Sequence, residues 1–320
     1  MKCYLCDDLG QKKTTKELIK YLEKNHEFKY SMYWDPAMTD WSDIGIIEWA
    51  ANNAVQCSKW AWKGVNYDWS KKKLICRAMD IEVYAGQYRS IQWNHITDLV
   101  YTAKHIWEFM NRDINFKERF PNLRTWHIPL SVDMNEWTYK ERKPGYKIAV
   151  IGKMWAAKSP EMIFQFLNLL INVSKIKDWE VHILGGWEQG TWGWMRTYRD
   201  NIIKALGLEK NVFLYDRVPN VDTWLEDKNY LVSFSQKDAF SLIIAEAMAK
   251  GIKAFPHNFW GAKDIYGKYV WSSMVDLAYR ILHEPYNSQE YHDFIKNNYS
   301  NEVIMEKWRK VLEITDEKVM

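Results

Sequence analysis

From residue 147 onward, short apolar runs alternate with helical segments at a nearly regular spacing, and this limits the fold more than any other feature. "KIAVIGK" (147–153), "WEVHILGG" (179–186), "NVFLYDRV" (211–218), "YLVSFS" (230–235) and "GIKAFPHN" (251–258) read as strands. "SPEMIFQFLNLLINV", "YRDNIIKALGL", "NVDTWLEDK" and "DAFSLIIAEAMAKG" read as the helices between them. Strands separated by helices cannot pair through tight hairpins, so they form a parallel, doubly wound sheet. Ser159 before Pro160 predicts a helix start. Lys250 before Gly251 predicts a helix stop.

The first half follows a similar plan. "MKCYLC", "DIGIIEWA" (43–50), "KKLICRAM" (72–79), "DLVYTA" (98–103) and "RTWHIPL" (124–130) read as strands, with "TKELIKYLEKN" (15–25) as the clearest helix. The charged, Pro- and Gly-containing "TYKERKPGY" (138–146) reads as a linker. We therefore expect two Rossmann-like α/β domains, residues 1–140 and 141–320, facing each other across a cleft. The helical tail from about residue 288 is grouped with the second domain, with packing back onto the first left open. Ligands in such sheets sit outside the C-terminal ends of the strands.

Composition narrows the class. Of 320 residues, 47% are hydrophobic and 27% charged, as in a globular protein. The net charge is only +3, with neither a polybasic arm nor an acidic tail. No apolar run suggests a transmembrane helix, and "MKCYLCDDLG" lacks the apolar core of a secretory signal. The expected location is the cytoplasm, with peripheral attachment to a membrane left open. Cys3 and Cys6 form a Cys-x-x-Cys without a second pair to complete a zinc site, and read as part of a buried strand. The 19 Trp suit a sugar or nucleotide partner, although core packing accounts for most of them. The lysines of residues 12–24 and Lys71 to Lys73 would suit a phosphate-bearing acceptor, but equally a solvated surface.

One carboxylate stands out. Glu246 lies within "LIIAEAMA", a helix apolar on every side and so expected to be buried. A buried carboxylate needs a partner. Lys153 and Lys158 follow one strand, and Asp238 follows another, just before a helix start near Phe240. A helix N-terminus and two lysines make a site for a diphosphate. Glu246, about 6 Å along the helix axis from Leu242, could then hold a ribose. No Walker sequence is present, no early G-x-G-x-x-G, and no Asp-x-Asp of the kind used for metal-dependent nucleotide-sugar binding.

These segments resemble a GT-B glycosyltransferase, in particular the retaining glycosyltransferase family 4. "VIGKMWAAKSP" resembles the family's Gly-Arg-Leu…Lys-Gly stretch, which places Lys153 and Lys158 on the donor diphosphate. "LGGWEQG" resembles its Gly-x-Gly loop. "NVFLYDRV" resembles the strand whose end, here Val218, touches the donor base. "SQKDAFSLIIAEAMAKG" resembles the Glu-x7-Glu signature, with Asp238 in place of the first acid, on the donor sugar, and Glu246 as the second, on the ribose. Phe240, Ser241 and Leu242 fall at the helix start that meets the diphosphate, with Ser241 in place of a glycine. Ser159 and Ala239 also stand where the family has glycine. "HIPLSVDMNEW" (127–137) resembles the family's Pro-Asn-Gly-Val-Asp through Val132 and Asp133. In "ICRAMDIEVY" (75–84), Arg77, Asp80 and Glu82 stand where the family often has a His near the reacting sugar. They are the acceptor-side candidates, unless a salt bridge among them accounts for them.

The resemblance implies transfer of a sugar from a nucleoside diphosphate sugar, UDP- or GDP-linked, to an acceptor hydroxyl. It implies retention of configuration, no essential metal and no cofactor. Asp238, Lys158 and Asp80 are the candidate catalytic residues. The acceptor class stays open among a glycan, a lipid-linked sugar, a protein and a modified DNA base. A GT-B nucleotide-sugar epimerase and a nucleotide-sugar-binding protein with weakened catalysis are the alternatives.

Overall fold

The computed structural model describes residues 1–10, 12–62, 72–187 and 193–313. Lys71, residues 188–192 of the expected "WEQGTWGW" loop and residues 314–320 of the tail lie outside the described residues. The chain divides into two compact units, Met1–Ser131 with Asn301–Met320, and Val132–Ser300.

This division differs from an expected boundary after residue 140, for reasons visible in the backbone. The Val132 amide donates to the Tyr299 carbonyl at 2.8 Å, which ties residue 132 to the second unit. The anticipated linker is packed against that same unit. The Arg142 guanidinium donates to the carbonyls of Glu226 at 2.8 Å and Lys250 at 3.1 Å. The last helix, Asn301–Glu313, belongs to the first unit. It buries Ile304, Trp308, Val311 and Leu312, and the Val311 carbonyl accepts from the buried Lys73 ammonium.

The first unit holds a six-stranded sheet, all parallel: β1 (Lys2–Asp7), β2 (Glu27–Ser31), β3 (Ile44–Glu48), β4 (Lys73–Ala78), β5 (Asp98–Tyr101) and β6 (Arg124–His127), in the order β2-β1-β3-β4-β5-β6. β3 and β4 are buried along their whole lengths, as central strands covered on both faces should be. Cys3 and Cys6 lie buried in β1, where the Cys6 sulfur accepts from the Asn53 amide at 3.0 Å. Burial pushes the Cys6 thiol up to about 12. β2, "EFKYS", is an edge strand that the sequence pattern does not reveal, because it is only half-buried and carries charges.

The second unit holds a five-stranded parallel sheet: β7 (Lys147–Ile151), β8 (Glu180–Leu184), β9 (Val212–Tyr215), β10 (Tyr230–Ser233) and β11 (Lys253–Pro256), in the order β11-β10-β7-β8-β9. Its core joins Phe164, Phe166 and Leu170 of the helix Pro160–Ser174 to Val150, Ile183, Val232 and Phe255 of the sheet. The helix Leu242–Ala249 is buried from Ile244 onward, as its uniform apolarity requires. Lys250, read from the sequence as a favourable end charge, is fully buried and ion-paired with Asp222 and Glu226. Among the described residues, no helix is long and apolar enough to cross a membrane.

Candidate functional site

The strand ends of the second unit converge through two close backbone approaches. β7 and β8 run in register from Lys147↔Glu180 to Ile151↔Leu184. Beyond the strands, the Met154 amide still donates to the Gly186 carbonyl at 2.9 Å. Gly185, at φ 136°, lies so near the Gly152 carbonyl that an added Cβ would collide with it. The loop after β7 is also latched to the loop after β10. The Gln236 amide donates to the Ala157 carbonyl at 2.9 Å, and its side chain donates to the Ser159 hydroxyl at 2.7 Å. Ser159 occupies the predicted start of the helix but makes no side-chain capping bond. Its φ of 43° lies in the left-handed region that favours glycine.

These latches bring Lys158 to the loop after β10. Its ammonium donates to the Ser235 hydroxyl at 3.0 Å and to Asp238 at 3.2 Å. Both members of the pair remain partly exposed, so each is accessible to a ligand. Asp238 is not a helix cap, since the helix begins at Leu242 with Ser241 as its N-cap. Phe240 is buried against Tyr266 and Tyr299. The Ser241 carbonyl accepts from the Tyr266 hydroxyl at 2.8 Å. Leu242 is half-buried in the first turn.

Glu246 follows one turn later, buried, with an interaction of its own within the protein. Burial drives the Tyr266 hydroxyl far above its ordinary pKa, and the charges of Asp238 and Glu246 add to the effect. Asp238, Tyr266 and Glu246 therefore share one electrostatic neighbourhood. Lys153, exposed, and Val218, half-buried, lie on the loops after β7 and β9 at the same edge of the sheet. A cation beside a helix N-terminus, with a carboxylate one turn deeper, can hold an anion and a polyhydroxylated group side by side. Sequence reasoning missed Tyr266, Gln236 and Ser235. Ser235 had a signal, as the hydroxyl at the end of "YLVSFS", whereas Tyr266 enters only through tertiary packing.

In the first unit, the three acceptor-side candidates separate. Arg77 is buried, and its guanidinium donates to Glu48 at 2.9 Å and to the Thr14 carbonyl at 3.3 Å. It is thus withdrawn from any position that meets a ligand, and its ion pair is with Glu48 rather than with Asp80 or Glu82. Asp80 is half-buried and precedes the short helix Ile81–Tyr84 without a capping bond. Glu82 is buried, and its Oε1 accepts from the Met79 amide at 2.5 Å. Burial raises its carboxyl to about 7, against the pull of that amide. Lys72 and Lys73 offer less free charge than the sequence suggests. The Lys72 ammonium donates to the carbonyls of Thr39, at 2.8 Å, and Asp40, and that of Lys73 to Val311.

Two parallel sheets, each flanked by helices and each with its loops at the strand C-terminal ends, define a GT-B fold. Solved structures share it. Anabaena Alr3699/HepE in complex with UDP superposes with a TM-score of 0.73 at 12% identity, covering 98% of this chain and 99% of that one. The lipopolysaccharide outer core galactosyltransferase WaaB does so with a TM-score of 0.64 at 14% identity, covering 98% and 99%. An S. aureus TarM variant, in complex with Fondaparinux, alpha-GlcNAc-glycerol and UDP, gives 0.65 at 17% identity, covering 85% of this chain and 55% of that one. The chain thus spans about half the length of TarM. None of the curated proteins matches the sequence. The model of the glycosyl transferases group 1 family matches residues 133–312, more than half of the chain. The protein belongs to that family.

Proposed function

We propose that the protein transfers a sugar from a nucleoside diphosphate sugar, UDP-linked, to an acceptor hydroxyl, with retention and without an essential metal. The observation that carries this reading is the Lys158–Ser235–Asp238 cluster beside the helix that bears Glu246. Similar structures with bound UDP support the choice of base. Lys158, with Lys153 and the start of the helix, stabilises the leaving diphosphate as its charge develops. Glu246 accepts from the ribose hydroxyls. Asp238, an anion, belongs beside the sugar hydroxyls rather than the diphosphate.

Calorimetry with UDP and turnover of UDP-sugars test the assignment together. Glu246→Gln is expected to weaken UDP binding by about 1.5–3 kcal/mol, the worth of a hydrogen bond to a charged group. The loss should largely vanish with a ligand that lacks the ribose hydroxyls. Asp238→Ala should spare UDP and cut turnover of the full donor. Equal loss of UDP affinity from both substitutions would contradict the division of roles.

Metal dependence is a separate matter. Without an Asp-x-Asp to hold a cation on the diphosphate, transfer is expected to survive EDTA. Activity abolished by EDTA and restored by manganese would reverse that conclusion.

A further inference from the structure

The helix Leu242–Ala249 starts without the usual side-chain cap. Its N-cap, Ser241, has the extended backbone of a capping residue, but its side chain makes no capping bond. Among the described residues, the amides of Leu242 and Ile243 donate to no protein group. A capping hydroxyl would occupy one N–H of this turn. Here the N–H groups of Leu242 and Ile243 stay open to an anion.

The start is held from its carbonyl side instead. The Ser241 carbonyl accepts from the Ile244 amide at 3.0 Å, an ordinary first-turn bond, and from the Tyr266 hydroxyl at 2.8 Å. Tyr266 ends the short helix Ala262–Tyr266, which follows β11, and is fully buried. A buried hydroxyl needs a partner, and a ring packed on all sides has little room to swing away from it. A second tyrosine braces the first. The Tyr299 hydroxyl donates at 2.8 Å to the Ile265 carbonyl, in the peptide that leads into Tyr266. Phe240, next to Ser241, packs against both rings, with centroids 5.9 Å from Tyr266 and 5.0 Å from Tyr299. All of these residues belong to the second unit.

We propose that Tyr266 is a positioning residue for the donor diphosphate: its hydroxyl fixes the first turn of the helix Leu242–Ala249 and leaves the N–H groups of that turn free for the diphosphate. The inference rests on the donor-site reading above. It adds a residue that is fully buried and so touches no part of the donor. N–H groups already aimed at the diphosphate need no reorganisation as its charge develops. Without the Tyr266 hydroxyl the bond from Ile244 remains, so the helix still forms, but its start is free to shift against the helix Ala262–Tyr266. Glu246, assigned to the ribose, lies one turn deeper, where the helix is fixed by its own backbone bonds. The hydroxyl therefore acts on the diphosphate end of the donor and not on the nucleoside.

Tyr266→Phe in the full chain tests the proposal. The variant loses one oxygen, keeps the ring and leaves the Ser241 carbonyl with the Ile244 amide, so it is expected to fold, which thermal unfolding checks. UDP affinity, by calorimetry, should fall about three- to tenfold, as for one neutral hydrogen bond. Affinity for uridine, which lacks the diphosphate, should be unchanged by saturation-transfer NMR. A merely structural role would weaken both ligands in proportion. Tyr299→Phe should act in the same direction, and adding it to Tyr266→Phe should change little more, since both hydroxyls work through one carbonyl. UDP affinity equal to the parent's in Tyr266→Phe, a parallel loss for uridine, independent full losses from the two substitutions, or a Tyr266→Phe chain that does not fold would each overturn the inference and leave the donor site standing. A parent chain that binds no UDP would remove the donor site, and the inference with it.

Discussion

Lys158→Ala is expected to reduce turnover of the sugar donor roughly 10²–10³-fold, the range found when one preorganised stabiliser of developing negative charge is removed. The Gln236 bonds to Ala157 and Ser159 hold the Lys158 turn beside the loop that leads into the helix Leu242–Ala249. The substitution removes a charge, and it also leaves Asp238 without the ammonium at 3.2 Å. A diphosphate entering the variant therefore meets a carboxylate that the parent neutralises. UDP and the intact donor should lose comparable affinity, because both carry the diphosphate.

Removing both members of the pair separates these effects. Lys158→Ala with Asp238→Ala should bind UDP better than Lys158→Ala alone, since a carboxylate beside the proposed diphosphate position is gone. Two residues in direct contact are expected to couple in this way. Turnover should not recover, because on the proposed division of roles Asp238 orients the sugar. Lys158→Arg, which keeps the charge, should retain part of the activity. The measurements are kcat/KM for the donor and the Kd for UDP by calorimetry. Unchanged UDP affinity in Lys158→Ala would remove the residue from the diphosphate site.

The two sheets were legible because buried parallel strands write themselves as apolar runs, as "KIAVI" and "IGIIE" do. Lys158, Asp238 and Glu246 were legible as charged groups placed at strand ends or inside an apolar helix. The half-buried β2 was not, since an edge strand with one polar side has no run to see. The ion-pair partner of Arg77 was not legible for a related reason. Its sequence neighbours are Asp80 and Glu82, but its partner Glu48 lies across the sheet, and register is not a local property. The division after Ser131 differs from the expected boundary near residue 140 for a similar reason. "TYKERKPGY" has the composition of a linker, but Arg142 and Lys140 are bound to backbone of the second unit.

Arg77 carries the largest expected effect on stability. Register places Asp7 opposite Glu48 and Glu48 opposite Arg77, so β1, β3 and β4 align two carboxylates and one guanidinium in a buried row. Trp308 of the last helix covers the guanidinium at 5.5 Å. Among the described residues, Asp7 Oδ2, Glu48 Oε2 and Arg77 Nε are buried without hydrogen bonds. Burial raises the Glu48 carboxyl from 4.5 to about 7, with Arg77 opposing the rise and Asp7 adding to it. Arg77→Met keeps much of the volume but strips the row of its only cation. Breaking a buried pair in this way costs about 3–5 kcal/mol.

The pH dependence has a definite sign. Between 4.5 and about 7 the folded chain holds a proton on Glu48 that the unfolded chain has released, so stability falls as pH rises through that window. One such group contributes a slope of at most about 1.4 kcal/mol per pH unit. Glu82, also raised to about 7, adds a second contribution over the same range. In Arg77→Met the force that lowers Glu48 is gone, so the decline should continue above neutrality, and the variant should be least impaired in mild acid. Adding Glu48→Gln removes the carboxyl that must take up a proton to stay buried, and should restore part of the loss at neutral pH while flattening the pH profile. Urea unfolding of the parent, the single variant and the double variant across this range reads all three effects. An Arg77→Met chain as stable as the parent at neutral pH would show that the row does not depend on its ion pair.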